Sequence, residues 1–174
     1  MTAKKPLSYD VEIREARKAD IVALIQLSKT VWLETYAIDG IKHSYLNFVD
    51  ATFDAQYFQK AINDIRNAIL VCQYDGSVVG YALIDKQSDY QNTGFDYELV
   101  RLYILAKYRG FGLGRRLLQA LQKQYGTKFW LYTWTENKSN QFYLKLGATH
   151  LGQYTFDFDK HPVHNHVYGF THYL

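Results

Sequence analysis

The sequence predicts an α/β (α+β) domain, and three features carry that prediction. Residues 97–104 form a β-branched and aromatic run, a glycine-rich turn follows, and apolar residues then recur at helical spacing up to Gly126. Asp75-Gly76 separates two apolar runs, as the two-residue turn of a β-hairpin does. Residues 150–158 and 166–173 predict a second hairpin near the C-terminus.

Composition indicates one globular domain over residues 1–174 with a full core. The chain is 48% hydrophobic but has no apolar run of about 18 residues and no cleavable signal. We therefore expect a cytoplasmic protein without a membrane partner. The net charge of +3 is small and its basic residues are scattered, which argues against nucleic-acid binding. Cys72, the one cysteine, lies in an apolar run and is expected to be buried and inert.

The N-terminal half predicts a strand followed by helices. Residues 1–8 read as a frayed terminus, and residues 9–14 alternate as a first strand does. Asp20 is placed to cap a helix that ends near residue 36. The next predicted helix covers residues 53–65 on one apolar face, with Asp50 or Thr52 as its cap.

The C-terminal half predicts two parallel strands joined by a helix. Residues 68–73 and 77–84 form the first hairpin, and a polar loop over residues 86–96 leads to the 97–104 strand. Residues 129–133 form the next strand and residues 137–146 a helix that Gly147 ends. Strand-helix-strand units cross over with a right hand, so the 97–104 and 129–133 strands should be parallel.

The turn after residue 104 has the properties of a phosphate site. Gly110, Gly112 and Gly114 remove alternate Cβ atoms at a helix N-terminus, where amide N–H groups are unpaired. The basic residues around it are Lys107, Arg109, Arg115 and Arg116. A dinucleotide fingerprint would need glycine in place of Arg115, and the G-K-[ST] of a P-loop is absent.

Two segments resemble the GCN5-related N-acetyltransferase (GNAT) superfamily. Arg109-x-x-Gly112-x-Gly114 is similar to its pyrophosphate-binding segment. Residues 142–147, Phe-Tyr-Leu-Lys-Leu-Gly, resemble its F-Y-x-K-x-G segment and follow about thirty residues later. The resemblance covers about residues 11–158 and implies a mixed, mostly antiparallel sheet of about seven strands, with one splayed parallel pair and about four flanking helices. It also implies an enzyme that moves an acetyl group directly from acetyl-CoA to an amine.

The resemblance implies where acetyl-CoA would bind. The backbone of Leu102, Tyr103 and Ile104 would pair with the pantetheine amides, and an N–H there would polarise the thioester carbonyl. The pyrophosphate would contact residues of the turn and helix start, namely Arg109, Gly110, Phe111, Gly112, Leu113, Gly114 and Arg115. Arg116 is the alternative to Arg115, because consecutive helical residues point about 100° apart. Asn137 and Asn140 are candidate pantetheine contacts, although either could be a helix cap or a surface amide.

Catalytic roles follow from the same resemblance. Tyr143 matches the tyrosine that protonates the leaving thiolate, and the reference pKa values of about 10 and 8.5 allow that transfer. The alternative is that Tyr143 only forms the apolar face of a helix. Glu98 is the expected general base, because an amine with a pKa near 10.4 must lose a proton first. It could also be a solvated surface carboxylate.

The acceptor is less defined. Glu34 and Tyr36 would bind a cationic substrate, and residues 32–36 are similar to bacterial superfamily members that acetylate small polyamines. Small-molecule or peptide amines of other kinds stay open, as do a monomer and a homodimer. A non-catalytic CoA-binding sensor is the alternative function. The histidines of residues 161–166 have the wrong spacing for a metal site, so we expect no metal and a polar loop there.

Overall fold

The structure is a computed structural model that describes residues 10–174. The predicted frayed terminus and Tyr9 therefore lie outside the described residues. The described chain forms seven strands and five α-helices. In chain order they are β1 (Val11–Glu15), α1 (Ile21–Tyr36), α2 (His43–Thr52), α3 (Ala55–Asn63), β2 (Asn67–Tyr74), β3 (Ser77–Asp85), β4 (Tyr97–Ile104), α4 (Leu113–Tyr125), β5 (Phe129–Trp134), α5 (Ser139–Lys145), β6 (Thr149–Phe158) and β7 (His161–Phe170).

The strands make one mixed sheet in the order β1-β2-β3-β4-β5-β7-β6. Neighbouring strands are antiparallel except β4 and β5, which are parallel. The parallel register holds only where Tyr97 faces Phe129 and Glu98 faces Trp130, and the two strands then separate. The predicted mixed sheet with one splayed parallel pair is confirmed.

A β-bulge in β4 helps to explain the separation. Opposite β3, Leu99 faces Ile84 and Arg101 faces Leu83, so Val100 is an extra residue on β4. A bulge bends its strand and increases the local twist. It also changes the face of the sheet to which the following side chains point, because the extra residue shifts their alternation by one position. Arg101 is thereby turned toward α1 and α3.

Each face of the sheet packs against its own set of helices. On one face α4 contributes Leu117, Leu118 and Leu121, which pack against β2–β5, and Tyr143 of α5 joins them. On the other face α1, α2 and α3 bury a second cluster built around Leu24, Val49, Phe53, Phe58 and Tyr81. The β4–β5 opening therefore has α4 and α5 on one side and α1–α3 on the other.

Two predicted helix caps are wrong, although Asp20 does stand at the N-cap position of α1. The Asp20 side chain makes no capping hydrogen bond to α1; it accepts hydrogen bonds from Arg14 Nη1 at 2.8 Å and from the Arg17 amide at 2.7 Å. The Arg14 hydrogen bond is the main reason that the pKa of Asp20 is lowered. α3 is capped by Asp54, which accepts from Tyr57 N at 2.7 Å, and neither Asp50 nor Thr52 has that role.

The polar loop predicted before the last strand is also wrong. His161, His164 and His166 lie in β7, which pairs with β6 from His161 to Gly169. Because β6 is an exposed edge strand, its partner can carry polar residues and a proline at the outer end. Cys72 is fully buried, and burial raises its pKa, as expected of an inert thiol.

Candidate active site

The opening between β4 and β5 leaves one edge of β4 without a strand partner. β5 continues beyond Trp130 but pairs only with β7, up to Trp134. Leu102, Tyr103 and Ile104 therefore lie on a strand whose β5 side is open, as the pantetheine prediction requires. The carbonyl of Ile104 is already used, because it accepts a hydrogen bond from Arg109 Nε at 2.8 Å.

The turn before α4 presents backbone amides to an anion. Gly110 (φ 83°) and Gly112 (φ 79°) have left-handed backbone conformations, which explains glycine at both positions. The first helical hydrogen bond runs from Arg116 N to Gly112 O at 3.1 Å. The amides of Leu113, Gly114 and Arg115 consequently have no acceptor within the helix, and they lie at the positive end of its dipole.

Gly114 also has a packing role that sequence analysis did not give it. A Cβ atom at this position would lie 3.1 Å from Phe142 Cζ and 3.8 Å from Leu102 Cδ2. Its missing side chain therefore lets α4 approach β4 and α5 closely. This contact also joins the two motifs, because Phe142 is the residue before Tyr143.

The arginines around the turn point in different directions. Arg109 forms an ion pair with Glu34, with Nη2 at 2.9 Å from Oε2, and so links the turn to the end of α1. Arg116 Nη2 donates to the Val11 carbonyl at 3.2 Å, away from the amides. Arg115 is exposed in the first turn of α4. Of the two alternatives in α4, Arg115 is thus the better placed for phosphate.

Tyr143 is buried beside three other tyrosines. Its side chain is 6% exposed and packs against Phe142 and Tyr168, with ring centroids at 5.2 and 6.3 Å. Burial is the main cause that raises its pKa, and Tyr36 and Tyr103 raise it further. The phenol therefore stays protonated at neutral pH. Within residues 10–174 its hydroxyl has no hydrogen-bond partner, so the proton is available for transfer.

Glu98 lies where the parallel strands part. It faces Trp130 in the last parallel pair, and its Oε2 accepts from Ser88 Oγ at 2.7 Å. Burial raises the pKa of Glu98, with Asp85 adding to the rise and the Ser88 hydrogen bond and Arg101 opposing it. The side chain is partly buried, so it is not the solvated surface carboxylate of the alternative reading.

The two asparagines mainly organise the start of α5. Asn137 Oδ1 accepts from Ser139 N at 2.9 Å. Asn140 Nδ2 donates to the carbonyls of Trp134, Thr135 and Asn137 at 2.9, 3.0 and 2.8 Å. Both make the bonds expected of structural amides, so their role as pantetheine contacts stays a prediction.

The side of the opening that α1–α3 cover is aromatic. Tyr36 lies between Trp32 and Trp134, with ring centroids at 4.8 and 5.6 Å. Glu34 is at the same end of α1, but Arg109 already balances its charge.

Arg101 also belongs to this side, and sequence analysis missed it. Its guanidinium carbon lies 5.0 Å from the Phe53 ring centroid. An arginine inside the apolar run of residues 99–105 was the available signal, because buried charges need a reason.

Neither a metal nor a membrane gains support from the described chain. In residues 10–174 no three histidine, cysteine or carboxylate side chains cluster as metal ligands. Over the same residues, every helix is too short or too polar to cross a bilayer.

Comparisons with known proteins agree with this geometry. The family model described as "Acetyltransferase (GNAT) family" matches residues 26–148. An uncharacterised N-acetyltransferase of Mycobacterium tuberculosis is 32% identical over 126 residues, which are 70% of this chain and 78% of the relative. The sequence-based GNAT assignment is thereby confirmed.

Solved structures show the same fold. A PaiA N-acetyltransferase from Thermoplasma acidophilum in complex with coenzyme A has a TM-score of 0.76 at 18% identity, covering 94% of this chain and 100% of that one. A Salmonella typhimurium acetyltransferase with acetyl-CoA has a TM-score of 0.64 at 23% identity, covering 92% and 93%. The chain therefore belongs to the acetyltransferase (GNAT) family and is an acyl-CoA-dependent N-acetyltransferase.

Proposed function

We propose that the protein moves the acetyl group of acetyl-CoA directly to a small amine, with Tyr143 as acid and Glu98 as base. The observation that carries the proposal is the contact between the two motifs. Phe142 packs against Gly114, which supports a single site along the β4–β5 opening that includes the free amides of α4 and the phenol of Tyr143. A diphosphate at one end and a thioester at the other suit such a site.

The residues present fit acetyl-CoA as co-substrate. The amides of Leu113, Gly114 and Arg115 offer N–H donors to the diphosphate, and the Arg115 side chain adds a positive charge. The open edge of β4 near Leu102 and Tyr103 offers the backbone pairing that pantetheine amides need. A backbone N–H on that edge would stabilise the negative charge that develops on the thioester oxygen.

The transfer needs a neutral amine. An acceptor with a pKa of about 10.4 is about 3.4 units from neutrality at pH 7, so deprotonation costs about 4.6 kcal/mol. We assign the uptake of this proton to Glu98, directly or through water. Because burial raises its pKa, Glu98 holds a proton more readily than an exposed carboxylate does.

The chemical step then proceeds without a covalent enzyme intermediate. The amine nitrogen attacks the thioester carbonyl carbon, the C–N bond forms, and the C–S bond breaks. The departing sulfur takes the phenolic proton of Tyr143, so CoA leaves as the free thiol. The nitrogen loses its second proton as the amide forms, and that proton returns through water to the Tyr143 phenolate. Cys72 is fully buried in the core and is not available as an acyl carrier.

The polyamine acceptor expected from the resemblance has weaker support. Glu34 is the residue expected to bind the polyamine cation, but its carboxylate already forms an ion pair with Arg109. Tyr36, with Trp32 and Trp134, offers apolar surface that suits the carbon skeleton of many amines. We place the reaction in the cytoplasm, and a monomer or a homodimer would serve it equally.

An amine panel tests this proposal. Purified protein is mixed with acetyl-CoA and one amine at a time, and free thiol and acetylated product are measured together. We expect thiol release that depends on the amine and matches the product in amount. If acetyl-CoA binds tightly but no amine releases thiol, the protein is a CoA-binding sensor and the catalytic roles are wrong.

A further inference from the structure

Arg101 is a partly buried cation with no anionic partner in residues 10–174. The ion pairs of that region join other residues, namely Arg14 and Asp20, Lys29 and Asp50, Arg66 and Asp85, and Arg109 and Glu34. The Nε atom of Arg101 is buried and has no hydrogen-bond partner. A guanidinium is always charged, so this arrangement costs free energy unless another group accepts its hydrogen bonds.

Tyr57 and Tyr103 form side-chain hydrogen bonds with the guanidinium, but neither is a carboxylate that would balance its charge, and Nε is left without a partner. Its carbon lies 5.0 Å from the Phe53 ring centroid and 5.9 Å from that of Tyr103. Ring contacts of this kind use the flat face of the cation, whereas its N–H donors point outward in the plane. Glu98 is beyond ion-pair distance, although Arg101 opposes part of the rise that burial causes in its pKa. The Nε donor and the uncompensated positive charge are left for an additional partner.

Arg101 lies on the acceptor side of the opening, close to the reacting groups. The bulge at Val100 turns it toward α1 and α3. Its charge acts on the pKa of Tyr36 at the end of α1 and on that of Tyr132 on β5, which places it near both walls. Tyr36 and Tyr103 also act on Tyr143. Arg101 and Tyr143 thus have Tyr36 and Tyr103 as common neighbours, which supports one acceptor that spans the two.

We propose that Arg101 binds a carboxylate of the acceptor, and that the acceptor is a free amino acid rather than a polyamine. A carboxylate accepts two parallel hydrogen bonds from the edge of a guanidinium and supplies the missing negative charge. The surrounding rings of Phe53, Tyr57 and Tyr103 exclude water and strengthen that interaction. A polyamine would instead bring more positive charge next to Arg101, which is unfavourable. This inference rests on the proposed acetyl transfer.

Matched acceptor pairs test the inference. Amino acids are compared with the amines that lack only the carboxylate, such as lysine with cadaverine, tyrosine with tyramine and histidine with histamine. In the wild type, we expect kcat/KM for the favoured amino acid to exceed that of its amine by about tenfold to a hundredfold, as for a charged hydrogen bond. In Arg101→Gln the ratio should fall to about one, mainly through KM of the amino acid, with KM for acetyl-CoA unchanged. Lys123→Gln, an exposed change of the same type on α4, is the control.

A binding measurement on the wild type depends neither on turnover nor on whether a variant folds. The thermal midpoint of the wild type is measured with CoA plus each amino acid and with CoA plus its amine, and a larger rise with the amino acid supports the inference. Arg101→Lys keeps the charge and should retain part of the preference if the glutamine variant is unstable. Equal use of both members of every pair, or an unchanged ratio in Arg101→Gln, would overturn it. If only the proposed acetyl transfer is wrong, the amino acid will still bind better than its amine, but no thiol will be released.

Discussion

Replacement of Tyr143 by phenylalanine should remove the proton source and leave the fold intact. The ring is 6% exposed, and its packing on Phe142 and Tyr168 does not involve the hydroxyl. Within residues 10–174 no group bonds to that hydroxyl, so its loss leaves no partner unsatisfied, and the free energy of unfolding should change by less than about 1 kcal/mol. Loss of a general acid lowers rates by about 10² to 10⁴, so kcat should fall by that factor, or about 2.7 to 5.4 kcal/mol.

The assay is thiol release under saturating acetyl-CoA and amine, with chemical denaturation of the same samples. KM for acetyl-CoA should change little, because the phenol contacts the sulfur only as it departs. Since burial raises the pKa of Tyr143, its ionisation should not cause a fall in kcat between pH 7 and about 9. Tyr173→Phe, at a side chain that is 72% exposed, is the matched control. A Tyr143→Phe enzyme with kcat within threefold of the wild type would refute the acid assignment.

The other predictions concern the base, the core and the helix contact. Glu98→Gln should abolish the rise of kcat/KM with pH that a base produces. Burial raises the pKa of Glu98 in the folded state, so ionisation of this carboxyl opposes folding. The wild type should therefore lose stability relative to Glu98→Gln as the pH rises from about 4 through that pKa. Thermal unfolding of both proteins at pH 4 and 7 measures the difference. Ser28→Ala should lower the free energy of unfolding by about 1 to 3 kcal/mol in chemical denaturation, because the Tyr81 hydroxyl loses its buried hydrogen-bond partner at 2.7 Å. The double variant with Tyr81→Phe should recover most of that loss. Gly114→Ala should lower the free energy of unfolding by about 1 to 3 kcal/mol, because the new Cβ displaces Phe142. It should also lower kcat more than it weakens acetyl-CoA binding. An unchanged kcat would show that the contact between Gly114 and Phe142 does not position Tyr143.

The elements with a strong local pattern could be predicted from the sequence. β4 was expected at residues 97–104 and lies at Tyr97–Ile104, and the Asp75-Gly76 turn joins β2 to β3 as expected. Both patterns depend on neighbours in the chain, such as β-branched runs and turn residues with a fixed conformation.

Features that depend on distant contacts could not be predicted in the same way. α2 was missed because its sequence, His-Ser-Tyr-Leu-Asn-Phe-Val-Asp, is poor in strong helix formers, and its Val49 is stabilised by packing in the α1–α3 cluster. The bulge at Val100 arises from pairing with β3, so the direction of Arg101 could not be read from alternation alone. The ion pair between Arg109 and Glu34 joins residues 75 positions apart. Sequence analysis therefore assigned the two residues separately, Arg109 to the pyrophosphate and Glu34 to the acceptor.

A backbone NMR titration tests most directly whether the α4 amides bind the diphosphate of CoA. Amide resonances of uniformly labelled protein are followed as CoA is added, and pantetheine, which lacks the diphosphate, serves as the control. We predict that the amides of residues 112–115 shift with CoA and stay unshifted with pantetheine. Saturable binding of CoA that leaves these amides unshifted would contradict the proposed site.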